Sequence, residues 1–229
     1  MITTEIENKV IPIKFGHVNI YLVKYENGYI LVDTGMPNKN EQFDDVFLKY
    51  GVDPTSIQLI ILTHGHLDHV GSVAYLQEFT GGKILCHRSY ANALGAGRIE
   101  PAVAQKFSGQ ILNFLSGFLG SKIGCVQADI IVDEEYDLGE YGLSGKVIHT
   151  PGHSASSLSI LLASGEVLVG DLIREDGSGE VGLGMFYEDK DAVLESLKKI
   201  AAFNPRIIYL SHGTTIDNSV LQDFIDAHI

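Results

Sequence analysis

The chain has 229 residues, 45% of them hydrophobic, and a formal net charge of −13 at pH 7. This length suits one large domain or two small ones, and the apolar fraction is enough for a substantial core. The sequence contains no apolar stretch near the ~20 residues that span a bilayer and no signal peptide at its start, so we expect a cytoplasmic protein without membrane contact. The negative charge argues against a nucleic-acid partner, because such proteins usually carry a basic face.

Short strands and helices alternate through the first part of the chain. Apolar runs predict strands over residues 11–13, 18–23, 29–32, 58–63 and 83–86. Asn27-Gly28 is typical of a hairpin turn between the second and third of these strands. Apolar side chains at helical spacing predict helices over residues 40–50 and 70–79.

Residues 88–124 differ from the rest because they are rich in Ala, Gly, Phe and Leu, with an apolar run over residues 114–119. Three interpretations stay open for this predicted helical insertion: core-packed helices, a lid over a functional site, or the contact of a homodimer. The remaining segments return to strands, over residues 129–132, 146–149, 157–162, 166–169 and 206–210, with helices over 189–203 and 218–228. Since no low-complexity linker divides the chain, we expect one domain over residues 1–229.

Four of the predicted strands run directly into histidine or aspartate. One leads to His64-Gly65-His66-Leu67-Asp68-His69, and the other three lead to His153, Asp171 and His212. Imidazole and carboxylate are ligands that zinc and related metals accept. Four candidate ligands within six residues, between a strand and a helix, make this the strongest functional signal in the sequence. The pattern predicts a metal-dependent enzyme.

In these motifs the chain closely resembles the metallo-β-lactamase superfamily. The family pattern His-x-His-x-Asp-His is complete at residues 64–69, and the later family ligands match His153, Asp171 and His212. Asp33, in Val32-Asp33-Thr34-Gly35, matches the early aspartate of the fold. The resemblance implies an α/β fold, a four-layer αββα sandwich with the helical insertion at about 88–124. It is similar to the glyoxalase II and lactonase branch of the family.

The resemblance also implies two divalent metal ions. The first would be held by His64, His66 and His153, and the second by Asp68, His69 and His212, with Asp171 bridging them. Zinc is the first expectation, and manganese or iron are alternatives, because His and Asp ligands accept all three. Asp33 would orient a ligand histidine or the metal-bound water.

Two metals a few Å apart imply hydrolysis, by a metal-bridging hydroxide that attacks a carbonyl or phosphorus. In that mechanism Asp68 orients the nucleophile and passes a proton to the leaving group. Tyr187 is a candidate hydrogen-bond donor to the substrate carbonyl, with an ordinary packed tyrosine as the alternative. His17 either reaches the cleft or stays solvated in its loop, and His149 is expected to be structural.

The expected substrate is a small carboxyl derivative, either a lactone, an ester or a thioester, uncharged or weakly anionic. The apolar insertion and the absence of a basic cluster near the motifs favour it. The 16 residues after Gly213 contain no Lys or Arg, which argues against a glutathione thioester as in glyoxalase II. The alternatives are a phosphodiesterase of the same fold and a mononuclear iron sulfur dioxygenase.

Overall fold

The structure is a computed structural model that describes residues 9–105, 123–176 and 178–228. Six strands form a first mixed sheet, in the spatial order β1 to β6. They are β1 (Lys9–Phe15), β2 (Val18–Tyr25), β3 (Gly28–Val32), β4 (Ile57–Ile61), β5 (Lys83–His87) and β6 (Ile130–Val132). The first three pair antiparallel, and β3 to β6 pair parallel.

A second sheet has five strands in the order β13-β10-β9-β8-β7. They are β7 (Glu135–Asp137), β8 (Gly145–His149), β9 (Leu158–Leu162), β10 (Glu166–Leu168) and β13 (Ile207–Tyr209). Pairing is antiparallel except between β10 and β13. A small hairpin of β11 (Arg174–Glu175) and β12 (Val181–Gly182) lies between β10 and the last helices in sequence.

In the described part of the chain, six α-helices cover the outer faces of the two sheets. They are α1 (Asn40–Tyr50), α2 (Leu67–Val70), α3 (Val73–Thr80), α4 (Arg88–Gly95), α5 (Lys190–Ala202) and α6 (Asn218–Asp226). Side chains of α1, α3 and α4 share a buried cluster with the first sheet, and those of α5 and α6 share one with the second. The caps of α5 and α6 are Asp189 and Asp217, whose carboxylates accept hydrogen bonds from the first-turn N–H groups.

The sheets pack face to face, and the alternation along their strands explains the layers. In β2, Ile20 and Leu22 pack toward the helices, whereas Tyr21 and Val23 enter the cluster shared with the second sheet. Successive strand residues point to opposite faces, so an unbroken apolar run is buried on both sides. The αββα sandwich predicted from the sequence is confirmed.

Some elements differ from their sequence predictions. The helix predicted over 70–79 corresponds to α3, which begins later, at Val73, while Val70 ends the separate short helix α2. Between them lies Gly71, where a Cβ would lie 2.3 Å from the backbone nitrogen of Pro37. Strands β7, β11 and β12 were not predicted, since two or three residues carry no recognisable alternation. In the insertion only α4 is a helix within the described part, and the apolar run at 114–119 lies outside it. The lid, dimer and core interpretations of that run therefore stay predictions.

The carboxyl ends of five strands meet at one edge of the sandwich. Strands β3 and β4 run parallel in the first sheet, and β8, β10 and β13 share a direction in the second. Backbone bonds join the sheets at this edge, from Leu158 N–H to the Thr63 carbonyl at 2.8 Å and from Asn19 N–H to the Ser211 carbonyl at 2.7 Å. The described helices include none long and apolar enough to cross a membrane.

Candidate metal centre

The side chains predicted as metal ligands lie together where these strands end. Their ligand atoms form three overlapping groups, each within 4.8 Å: His64 with His66 and His153, His64 with His69 and Asp171, and Asp68 with His69 and His212. All five histidines are buried, and the two aspartates are half-buried. The structure thus brings together every residue of both predicted ligand sets.

Three histidines form the first set, and their ligand atoms almost touch. His66 Nδ1 lies 3.0 Å from His64 Nε2 and 3.0 Å from His153 Nε2. Around a zinc ion with bonds of ~2.0–2.1 Å in tetrahedral geometry, ligand nitrogens are about 3.3 Å apart. The three nitrogens therefore converge on a space of the size that one metal ion requires.

The far nitrogens of two of these rings are held by neighbouring groups. His153 Nδ1 donates to the Phe186 carbonyl at 2.9 Å, and His64 Nδ1 lies 3.0 Å from Thr63 Oγ1. For His153, this bond fixes the tautomer whose Nε2 lone pair faces the set. Burial lowers the pKa of His66 and of His153 to about 4, so both rings are neutral at pH 7 and ready to bind a cation.

The second set combines carboxylates with histidines. His69 Nε2 lies 3.8 Å from Asp68 Oδ1, and His212 Nε2 lies 3.5 Å from Asp68 Oδ2. Asp171 stands between the two sets. It lies 3.3 Å from His69 Nε2, 3.2 Å from His212 Nε2 and 3.7 Å from His153 Nε2. One carboxylate therefore faces ligands of both sets, as a bridging group must.

A cation fits this arrangement because buried polar atoms lack well-formed hydrogen bonds. Among the described residues, His69 Nε2 and Asp171 Oδ1 are buried and face each other at 3.3 Å, but neither makes a well-aligned hydrogen bond. Buried polar groups that lack a well-formed hydrogen bond are costly, and charged groups more so. A metal ion between them would satisfy both atoms, so the donor set and its burial agree with metal binding.

Electrostatics distinguishes the second set from the first. Burial lowers the pKa of His69 and His212, but the nearby carboxylates, above all that of Asp171, raise both pKa values by more than burial lowers them. The pKa of His69 is raised well above its usual range, and that of His212 is raised to about 9. Without metal, protons on these two rings therefore balance the carboxylates, so a cation would displace them.

Asp33 lies next to the second ligand set and forms a hydrogen bond with one of its histidines, His69. It adopts a left-handed backbone conformation, with φ of 64°, directly after β3. Its carboxylate accepts hydrogen bonds from the Thr63 N–H at 2.8 Å, from Thr63 Oγ1 at 2.8 Å and from His69 Nδ1 at 2.8 Å. Since Nδ1 of His69 donates to Asp33, Nε2 is the nitrogen that faces Asp68 and Asp171 and would bind a cation once its proton is displaced. This contact matches the orienting role expected for Asp33.

His17 reaches the centre, although its sequence context left this open. Its carbonyl accepts a hydrogen bond from His212 Nδ1 at 2.8 Å, and its ring stacks on His212 with centroids 5.6 Å apart. Its Nε2 lies 3.4 Å from Asp68 Oδ2, and its side chain is 67% exposed. Sequence reasoning left His17 out of the site because it belongs to no motif; its place in the turn before β2 was the available signal.

Two other predicted residues lie in different surroundings. Tyr187 is half-buried and packs against the cluster beneath α5 and α6, while its backbone N–H donates to the Val103 carbonyl at 3.1 Å. Its role as a donor to substrate stays a prediction. His149 stacks on His87 with ring centroids 3.9 Å apart, and its Nε2 lies 3.0 Å from the Ala155 carbonyl.

A cavity of about 320 Å³ opens beside His17 and His212, and its wall carries two basic residues, Lys14 and Arg174, and two acidic ones, Glu175 and Asp176. Arg174 also lines a narrower cleft with His153 and Asp171. Within the described part of the chain, neither basic side chain forms an ion pair within 4 Å. The sequence shows no basic cluster near the motifs, and the structure creates this pair by folding the turn after β1 against β11.

Comparisons with known proteins agree with this geometry. A sequence model described as the metallo-beta-lactamase superfamily matches residues 13–212. A metallo-beta-lactamase fold-containing protein from Sulfurisphaera tokodaii is 26% identical over 93% of this chain and 80% of its own length. A beta-lactamase-like protein 2 homolog from Caenorhabditis elegans is 28% identical over 91% of this chain. A hydroxyacylglutathione hydrolase from Aeromonas hydrophila is 27% identical over 89% of this chain.

The chain spans only 60% of the nematode protein and 64% of the Aeromonas enzyme. The crystal structure of an archaeal metallo-beta-lactamase superfamily protein from Sulfolobus tokodaii superposes with a TM-score of 0.67 at 21% identity. That superposition covers 96% of this chain and 85% of the archaeal one. It shows that the two chains share a fold.

Proposed function

The chain belongs to the metallo-beta-lactamase superfamily and is a metal-dependent hydrolase. From this premise we propose that it uses two metal ions to hydrolyse a small, anionic carboxyl derivative. The substrate would be a lactone, an ester or a thioester. The observation that carries the proposal is Asp171, whose carboxylate lies within 3.7 Å of ligand nitrogens in both histidine sets. A carboxylate so placed serves two cations better than one.

We assign the first metal to His64, His66 and His153, and the second to Asp68, His69 and His212, with Asp171 shared. Zinc suits this mixture of imidazole and carboxylate. When bound, the ions would polarise the substrate carbonyl and make water nucleophilic near neutral pH. The buried carboxylates and neutral imidazoles are the chain's own contribution to that chemistry.

Asp68 is the residue placed to move a proton. Its Oδ2 lies 3.5 Å from His212 Nε2 and 3.4 Å from Nε2 of the exposed His17, two residues that line the cavity. The nearby histidines hold the pKa of Asp68 well below its usual range in spite of its burial, so it is ionised at pH 7. Oδ2 can therefore take a proton from water and give it to the leaving group.

The position of Arg174 indicates the charge of the substrate. The cavity wall carries Glu175 and Asp176 as well as Lys14 and Arg174, but of these four only Arg174 also lines the cleft beside His153 and Asp171, and it forms no ion pair within 4 Å among the described residues. Unpaired cations at a cleft attract an anionic group, and the arginine fork suits a carboxylate or phosphate. The Aeromonas relative, named for hydrolysis of a hydroxyacyl-glutathione, supports an acyl substrate. Together the two features favour an acyl substrate that carries a carboxylate or phosphate away from the scissile bond.

A matched substrate panel tests this function. Lactones, esters and thioesters with and without a distal carboxylate, together with bis-p-nitrophenyl phosphate, would be offered to zinc-loaded and metal-stripped protein. We expect metal-dependent turnover of the carboxyl compounds and a higher kcat/KM for the anionic member of each pair. Turnover of the phosphodiester alone would replace this function with a phosphodiesterase. Stoichiometric iron with oxygen consumption would replace it with an oxygenase.

A further inference from the structure

Glu100 belongs to none of the motifs, yet it contacts both segments that supply the three-histidine set. It follows α4, in the described start of the insertion. Its Oε2 accepts hydrogen bonds from the Gly65 N–H at 2.8 Å and from Ser156 Oγ at 2.6 Å. Its own N–H donates to the Gly65 carbonyl at 2.8 Å. One residue is thus bound to the two segments through three hydrogen bonds.

The position of these contacts gives them their importance. Gly65 lies between His64 and His66, and Ser156 lies in the turn that begins at His153. The Gly65 backbone is pressed closely against its surroundings, because a Cβ there would lie 2.5 Å from Tyr90 Cε2 and 2.6 Å from Glu100 Cγ. Any displacement of the carboxylate would therefore be transmitted to the loop that holds both histidines.

We propose that Glu100 is a positioning residue that fixes the His64–His66 loop against the His153 turn and so sets the affinity of the three-histidine set for its metal. This inference rests on the proposed function, since it assumes that the set binds a metal. The bond from Leu158 to Thr63 joins the same segments, but it lies on the strand side of the ligands. The hydrogen bonds of Glu100 join the segments on the opposite side of the ligands. Together with the Leu158–Thr63 bond, they would prevent the two ligand loops from separating.

Three substitutions separate the carboxylate's geometry from its charge. Glu100→Ala removes the acceptor for Gly65 and Ser156, whereas Glu100→Gln keeps an acceptor oxygen and loses the charge. Ser156→Ala removes one bond of the bridge and leaves Glu100 in place. Glu195→Ala, which breaks an exposed pair with Lys198, is the matched control for loss of a glutamate.

Metal affinity is the readout, measured by competition with a chromophoric chelator using zinc and by the visible absorption of cobalt. A His212→Ala background, which lacks a ligand of the second set and so weakens it, makes the three-histidine set the tighter site in the titration. Loss of groups that orient metal ligands typically costs 10–100-fold in metal affinity. We expect a loss of that size for Glu100→Ala, a smaller loss for Ser156→Ala, and little change for Glu100→Gln and the control.

Thermal unfolding with and without metal distinguishes positioning from general stability. If Glu100 only stabilised the fold, Glu100→Ala would lower Tm equally with and without metal and leave the affinity unchanged, which would overturn the inference. Should Glu100→Ala fail to fold, unchanged zinc affinity in Ser156→Ala would overturn it instead. Failure of the unsubstituted protein to bind metal would refute the proposed function, a result distinct from either.

Discussion

Replacing Asp33 by Asn tests how the second ligand set is oriented. The carboxylate is buried and accepts from Thr63 and from His69 Nδ1, each at 2.8 Å. An amide keeps the shape but has one accepting oxygen. If that oxygen keeps the Thr63 N–H, the amide NH₂ faces His69 Nδ1 and meets another donor. His69 then keeps its proton most favourably on Nε2, the atom that faces Asp68 and Asp171 and that must lose its proton to bind a metal.

The expected magnitude follows from the bond that is lost. A hydrogen bond to a charged group contributes about 1.5–3 kcal/mol. At about 1.4 kcal/mol per factor of ten, Asp33→Asn should weaken the second metal by ~10–100-fold. The affinity of the three-histidine set should stay within about threefold, because Asp33 contacts none of its ring nitrogens. The left-handed backbone at this position, with φ of 64°, is tolerated by Asn as well as by Asp, so the variant should fold.

The assay is a two-step zinc titration against a chelator of known affinity. Asp53→Asn is the control, since Asp53 also accepts a backbone N–H, from Thr55 at 2.9 Å, but on the exposed surface. We expect the control to bind both metals as the unsubstituted chain does. Unchanged second-metal affinity in folded Asp33→Asn, or an equal loss at both sets, would refute the orienting role.

Three further predictions follow from the site and its surroundings. Arg174→Gln should raise KM for a carboxylate-bearing substrate by about tenfold or more, because a charged hydrogen bond contributes about 1.5–3 kcal/mol. It should leave KM for the uncharged analogue unchanged. Equal effects on both substrates would contradict the anion-binding role. The raised pKa values leave His69 and His212 protonated at pH 7. Binding of the second metal should therefore release protons and become tighter as pH rises toward about 9, whereas binding of the first metal should release almost none. Calorimetry in buffers of different ionisation enthalpy measures the protons released, and equal release at both steps would contradict the prediction. Gly65→Ala should lower the free energy of unfolding by about 1–3 kcal/mol through overpacking against Tyr90, and an unchanged urea midpoint would contradict the close packing.

The sequence predicts the layers and the ligands for a common physical reason. Regular burial produces a periodic pattern in the sequence, as in β2, where neighbouring residues alternate between the two faces of the sheet. Metal ligands also form a local motif, because His64, His66, Asp68 and His69 must follow one strand closely to face the same edge of the sandwich. Both signals can be seen without knowing which strands are neighbours.

Features that depend on contacts between distant segments could not be predicted in the same way. Lys14 and Arg174 line one cavity only because the turn after β1 lies beside β11, a strand of two residues with no pattern of its own. Glu100 follows α4 in an irregular segment, and nothing in its local sequence indicates a bond to Gly65. The need for glycine at residue 71 depends on how closely Pro37 approaches it, a contact between segments that the sequence alone does not reveal.

The measurement that tests the central claim most directly is hydrolysis followed during a metal titration. Metal-stripped protein would receive zinc in fractions of one equivalent while turnover of an anionic thioester and the bound metal are recorded together. A dinuclear centre bridged by Asp171 predicts binding that saturates at two equivalents, with most of the activity gained during the second. Saturation at one equivalent, or full activity without added metal, would contradict it.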